Sequence, residues 1–312
     1  MPYLTSYGGI WGAIPQSQGR VFWVSAGDSC VVNGETYHAS DNNDGLSPER
    51  PCRRVNHVID NLVTANAGDV VVLLAGTHTL QNAAGTSTSL AMDTAGVTLM
   101  GLPCGQGNFL QQRTTIAAVT GDQNVNVTAA NIEIAYLNFI PVTADTAIDI
   151  SADGDNVHIH HCSFDLSTPA ADTGTKGIEF IGAASYPLIH HIYAYCDGAQ
   201  GPAIELGTIN YGVVRDCIMV CTAGSWAAAM VTGAGGTTNL VENCIFLCDG
   251  TAITDAITGG ASAAGAWTFR FCHFPVLCDE LDGFTATHAE LNQCYIATVG
   301  GGSGGTQVTP TT

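Results

Sequence analysis

Read as apolar and polar positions, the second half of the chain repeats one phrase: apolar residues at alternating positions, a polar or aromatic residue, usually cysteine, then an apolar residue two further on. The copies are Asn131 to Phe139 (NIEIAYLNF), Asn156 to Phe164 (NVHIHHCSF), Pro187 to Ala194 (PLIHHIYA), Gly212 to Met219 (GVVRDCIM), Asn239 to Phe246 (NLVENCIF) and Trp267 to Phe274 (WTFRFCHF), with Ala289 to Ile296 (AELNQCYI) as a looser seventh. The key column runs Leu137, Cys162, Ile192, Cys217, Cys244, Cys272, Cys294, in steps of 25, 30, 25, 27, 28 and 22 residues. Self-similarity at such a period is the mark of a solenoid. A second column, Ile148, Ile178, Ile204, Met230, Ile253 and Phe284, sits in runs such as AIDIS, GIEFI and AIELG. Two tracks with apolar spacing of two exclude a helical repeat.

Alternation such as Ile148-Asp149-Ile150 sends one side chain inward and the next outward, so each coil can cover the last through parallel pairing, with right-handed crossovers. The fold class expected is therefore all-β: a single right-handed parallel β-helix. Val70 to Gly76 and Gly96 to Gly101 read as its first coils. Before them, Val55, Val58, Ile59 and Leu62 fall at helical spacing within residues 51–65, after Ser47-Pro48, which predicts a capping helix over the open apolar end. The expected organisation is an arm and first strand over 1–36, the β-helix over 37–299 and a glycine-rich tail over 300–312.

Composition narrows the partners. Eight Lys+Arg against 27 Asp+Glu, a formal charge of −19, argue against wrapping a nucleic-acid backbone, which requires a basic surface. Residues 1–19 lack a basic n-region and an apolar h-region, and no stretch of about 18 apolar residues occurs, so neither a secretory signal nor a membrane span is expected. The 37 glycines suit many short strands joined by turns.

The stretch YHASDNNDGLSPERPCRRVNHVIDNL followed by GDVVVLLAGTH resembles the entry of pectin-lyase-like right-handed β-helix proteins of bacteria and phages, and the rungs over 37–299 resemble that superfamily too. In it, an inward asparagine ladder often stands where cysteine recurs here. The resemblance implies the fold; the superfamily holds lyases, hydrolases and inert structural proteins, so activity must be read from the site.

Stacked positions lie ~4.8 Å apart, within reach of a disulfide. One column offers Cys217, Cys244, Cys272 and Cys294, another Cys196, Cys221, Cys248 and Cys278, either as bonded ladders or as buried thiols. Cys30, Cys52 and Cys104 fall outside the ladders and are candidates for bonds to other segments or chains. Asp149, Glu179 and Glu205 form an outward acidic column whose rung spacing suits a glycosidase pair, a cation or basic partner, or simply water. The neighbouring outward positions offer few sugar-binding partners, with Val231 continuing the column and Lys176 the only lysine, and a lyase reading is poorer still because the arginines lie mostly far from the column in sequence. His160 aligns with His190 and His161 with His191 on the next coil, with His158 nearby, as a metal or pH-sensing site or as exposed corner residues. The loop Asp41 to Gly45 lacks calcium-loop spacing and reads as a turn.

No cofactor motif is present in the sequence. The functional expectation is a non-enzymatic bacteriophage virion protein: a capsid decoration or minor capsid protein on the particle exterior, made in the host cytoplasm, homotrimeric, cementing the major capsid protein. Residues 1–20, with Tyr3, Tyr7 and Trp11 among glycines and prolines, suit an extended arm. The alternative is a tailspike or fibre that binds or hydrolyses surface polysaccharide, with Asp149, Glu179 and Glu205 as acids; an extracellular bacterial carbohydrate-active enzyme comes third.

Overall fold

The computed structural model describes residues 19–307 except 33, 103–113, 119–124, 142–145, 168–174, 197–200, 222–225, 234–235, 249–252, 260–266, 275–278, 283–288 and 297–305. The expected arm over 1–20 and the tail over 300–312 fall almost wholly outside the described residues.

The chain winds as a right-handed parallel β-helix with three sheets rather than two tracks. The first sheet stacks ten strands from Val21–Val24 to Ala289–Asn292, the second ten from Gly76–His78 to Thr306–Gln307, and the third eight from Leu90–Met92 to Asp279–Asp282. The extra sheet hides inside the repeated phrase. In NVHIHHCSF one strand, His158–His160, ends at His161, and a second, Ser163–Asp165, starts two residues later. In seven successive rungs the turn is made by a single left-handed residue: Tyr136, His161, His191, Asp216, Asn243, Phe271 and Gln293 all have φ between 51° and 56°. Such a conformation is unfavourable for side chains other than Gly, Asn or Asp. It is held because the corner amide stays in the ladder, as when His161 N–H donates to the His190 carbonyl and Asn243 N–H to that of Arg270. The corner also resets the alternation, so the inward residues run Ile159, Cys162, Phe164 in steps of three and then two.

Register makes residues distant in sequence vertical neighbours. Ser163 pairs with Tyr193, Tyr193 with Ile218, Ile218 with Ile245, Ile245 with His273, and His273 with Tyr295. The residue before each is therefore stacked as well, which is the column from Cys162 to Cys294. Like side chains then meet inside: Phe139 lies on Phe164 with centroids 5.2 Å apart, and Phe246 on Phe274 at 5.5 Å. Each such buried side chain contributes roughly 1.5–3 kcal/mol of transfer free energy. In the third sheet the apolar column is Ile148, Ile178, Ile204, Met230, Ile257 and Leu281. Ile253 instead pairs with Trp226, four residues before Met230, which corrects the expected assignment; Phe284 lies outside the described residues.

At the N-terminal end the helix α1 (Val55–Asn61) is shorter than the predicted span and buries Val55, Val58 and Ile59 against the first rung. The Asp41 loop serves it as a turn: Asp41 accepts from the backbone N–H of Arg53 and Arg54 and from the Arg54 guanidinium. Asp69, buried at the start of the first full rung, accepts from Arg20 N–H at 2.7 Å, the Arg20 guanidinium at 2.9 Å and Thr64 N–H at 2.8 Å, tying the entering strand to the coil. No helix of the described residues is long and apolar enough to cross a membrane.

Candidate functional site

The acidic column exists as spacing predicted: Asp149 pairs with Glu179 and Glu179 with Glu205, on the outer face of the third sheet. Below Asp149 stands Asn126 and above Glu205 stands Val231. What the spacing hid is Lys176. Its Nζ lies 2.6 Å from a Glu179 oxygen and 2.6 Å from a Glu205 oxygen, while Thr146 donates to Glu179 at 3.1 Å. Burial pulls the Lys176 pKa down, but hydrogen bonds to the two glutamates outweigh it, so the ammonium is held above its ordinary value. A glycosidase needs a substrate oxygen between its two carboxyl groups. Here the ammonium fills that gap.

The histidines gather more closely than corner residues would. His158 follows Glu133 and Thr98 in one outward column of the first sheet; His160 and His190 are adjacent in the next, and only His161 and His191 occupy corners. The Nε2 atoms of His158 and His190 lie 2.8 Å apart, and His160 Nε2 lies 2.9 Å from Glu133 Oε1, which also accepts from Thr98 through its other oxygen at 2.9 Å. His160 and His190 stack at 5.0 Å, and His161 and His191 at 4.6 Å. Far from lying open at a corner, His160 is 8% and His190 9% exposed. Burial, reinforced by the neighbouring imidazoles, pushes the His190 pKa down to about 3 and that of His161 to about 4. For Glu133 burial acts upward, but the hydrogen bonds from His160 and Thr98 outweigh it and its pKa falls. Glu133, one rung upstream, was not a sequence candidate; only the 25-residue offset to His158 could have found it.

Among the described residues every cysteine is a free thiol. The stacking is as spacing predicts: Cys196, Cys221 and Cys248 pair directly, and Cys217, Cys244, Cys272 and Cys294 lie in line. Each thiol of the main column has a backbone carbonyl in reach besides the neighbouring thiol, that of Glu242 at 3.4 Å from Cys244 Sγ and that of Arg270 at 3.6 Å from Cys272 Sγ. A hydrogen bond with Cys217, with burial added, raises the Cys244 pKa well above the ordinary thiol value. Cys52 is buried and donates to the Asn43 carbonyl, and Cys30 donates to that of Pro48. Cys104, Cys278 and the side chain of Cys248 lie outside the described residues.

The second sheet has a different outer face. Tyr193, Ile218 and Ile245 stack in one outward column and Tyr195, Val220 and Leu247 in the next, with the carboxylate of Asp165 marking its N-terminal border. Leu247 is 48% exposed.

These features define the class as a right-handed parallel β-helix protein with an acidic column, an imidazole cluster and an apolar wall on three separate faces. Solved structures of the same fold include the pectin methylesterase PemA from Erwinia chrysanthemi, at 10% identity and a TM-score of 0.56 over 92% of each chain. A pectin methylesterase in complex with a hexasaccharide matches at 11% identity and a TM-score of 0.54, over 88% of this chain and 94% of its own. A rhamnogalacturonan lyase matches at 16% and 0.52, over 89% and 74%. No protein-family model and no curated protein sequence matches the chain. At these identities the likeness is one of fold.

Proposed function

We propose that the chain is a non-hydrolytic structural protein that assembles side by side with copies of itself, as a decoration or minor capsid protein on a bacteriophage virion. The observation that carries the reading is the apolar wall of the second sheet. Three successive rungs present Tyr193 and Tyr195, Ile218 and Val220, and Ile245 and Leu247 outward, where a solvated sheet would alternate to polar residues. The wall runs along the solenoid axis, so a partner must be equally long and straight; copies of the same chain meet that requirement. A homotrimer buries one such wall from each copy around a common axis, and the acidic remainder, at a formal −19, faces outward toward basic neighbours such as capsid subunits.

The polysaccharide reading has one support, that the fold-mates named above act on pectin or rhamnogalacturonan; against it stands Lys176 between the acids. Light scattering on the full chain tests the proposal. Trimers are expected, falling to monomers on Leu247→Glu with Val220→Glu while circular dichroism is unchanged. A monomeric wild type at tens of micromolar, or release of reducing ends from surface polysaccharide that is lost on Glu179→Gln, overturns it.

A further inference from the structure

The imidazole cluster carries a second function, independent of the assembly wall. We propose that His158, His160 and His190 bind one divalent transition-metal ion of the zinc, cobalt or nickel type, with Glu133 positioning His160.

Three features of the cluster converge. One ligand nitrogen from each of the three histidines lies within 4.8 Å of the other two. Around a tetrahedral ion with bonds of about 2.0–2.1 Å, ligand nitrogens stand ~3.4 Å apart, so small ring rotations suffice to close the site. Second, the fold itself sets this approach: His160 and His190 are register partners on adjacent rungs, and His158 reaches them from the next outward column of the same strand. Third, a carboxylate already orients a ring. Glu133 accepts from Nε2 of His160 and is itself braced by the Thr98 hydroxyl, while His160 Nδ1 lies 2.8 Å from His161 Nδ1, a contact that coordination through Nδ1 would replace. Carboxylate-to-imidazole bracing of this kind fixes tautomer and orientation in metal sites. An all-imidazole donor set selects borderline ions over calcium or magnesium, which prefer oxygen. The remaining coordination position falls to water, since His191 faces the opposite nitrogen of His190, with their Nδ1 atoms 2.7 Å apart. With three ligands on two rungs, the ion would cross-link coils 30 residues apart in sequence.

The test uses the untagged full chain titrated with Zn2+ by calorimetry and with Co2+ by visible absorption. One ion per chain is expected, with d–d bands in the range of nitrogen-coordinated four- or five-coordinate Co2+. His158→Ala, whose side chain is a third exposed and whose loss should leave the fold intact, is expected to weaken Zn2+ at least about 100-fold; Glu133→Gln should weaken it about 10–100-fold without changing stoichiometry. His38→Ala, on an exposed hairpin, should change nothing. Absence of stoichiometric Zn2+ or Co2+ binding to wild type overturns the proposal. So does binding that survives both His158→Ala and His190→Ala in folded protein, or that disappears with His38→Ala.

Discussion

Lys176→Met isolates what one ammonium does for two carboxylates. Both carboxylate oxygens lie 2.6 Å from Nζ, so they are no more than about 5 Å apart. Without the lysine they face each other as like charges. At ~5 Å the repulsion is about 3 kcal/mol for an effective dielectric of ~20 and about 1 kcal/mol in bulk water. The side chains of Glu179 and Glu205 are 20% and 31% exposed, between those limits, so the variant should lose about 1–3 kcal/mol at pH 7. Methionine keeps the stem's packing, which makes charge the main change. Urea denaturation followed by circular dichroism at pH 7, in about 0.1 M and about 1 M NaCl, measures it. The deficit should shrink at the higher salt, where the screening length of ~3 Å is shorter than the gap between the carboxylates. In the wild type, pH acts through the lysine: its raised pKa contributes stability that is complete below the unfolded value near 10.4 and is lost as pH rises through the folded one. A variant as stable as wild type at low salt, or equally weakened at both salt concentrations, refutes the account of the acids as a clamped pair.

Phe164→Ala, which removes a 1% exposed ring stacked on Phe139, should cost about 3–5 kcal/mol in chemical denaturation. Asp69 feels burial, which acts upward, but the hydrogen bonds from Arg20 and Thr64 win and its pKa is lowered; its stabilisation is present above pH ~3.9 and lost as pH falls through the lower folded value, so Asp69→Asn should flatten the acid limb of a stability–pH curve. Gly236, at φ +99° with its Cα against the Ile209 carbonyl oxygen, leaves no room for a methyl group, so Gly236→Ala should lower Tm by several degrees in calorimetry. Burial pushes the Cys162 pKa up to about 12, so mass mapping after iodoacetamide should find it unmodified in native protein and labelled after unfolding.

The rungs were legible because register is enforced by burial: a slip of one residue would expose Ile159 and bury His158. The Cys column was legible for the same reason, since each member follows a corner at a fixed offset. The second sheet was not, because a single left-handed residue separates its strands from those of the first and leaves no glycine or proline to announce it. The misplaced Ile253 has a related cause. That strand, Ile253–Gly259, is seven residues long and offers two isoleucines, and only the pairing of Met230 with Ile257 decides between them. Lys176 escaped because it lies three residues before Glu179, which by alternation belongs to the opposite face. Gly177 and Ile178 are both buried, and that break in alternation turns the lysine outward. Among the histidines, sequence placed the alignments but not the depth, which comes from packing of imidazole on imidazole across rungs.

The short strand Thr306–Gln307 runs antiparallel to Tyr295–Ile296, reversing the direction of every earlier pairing in its sheet. An incoming coil from another molecule would need to continue the parallel hydrogen-bonding pattern at that border, and it meets one of opposite polarity. Fibril-like elongation tip to tail is thereby discouraged along this wall, and growth of any assembly is channelled to the flanks of the rod.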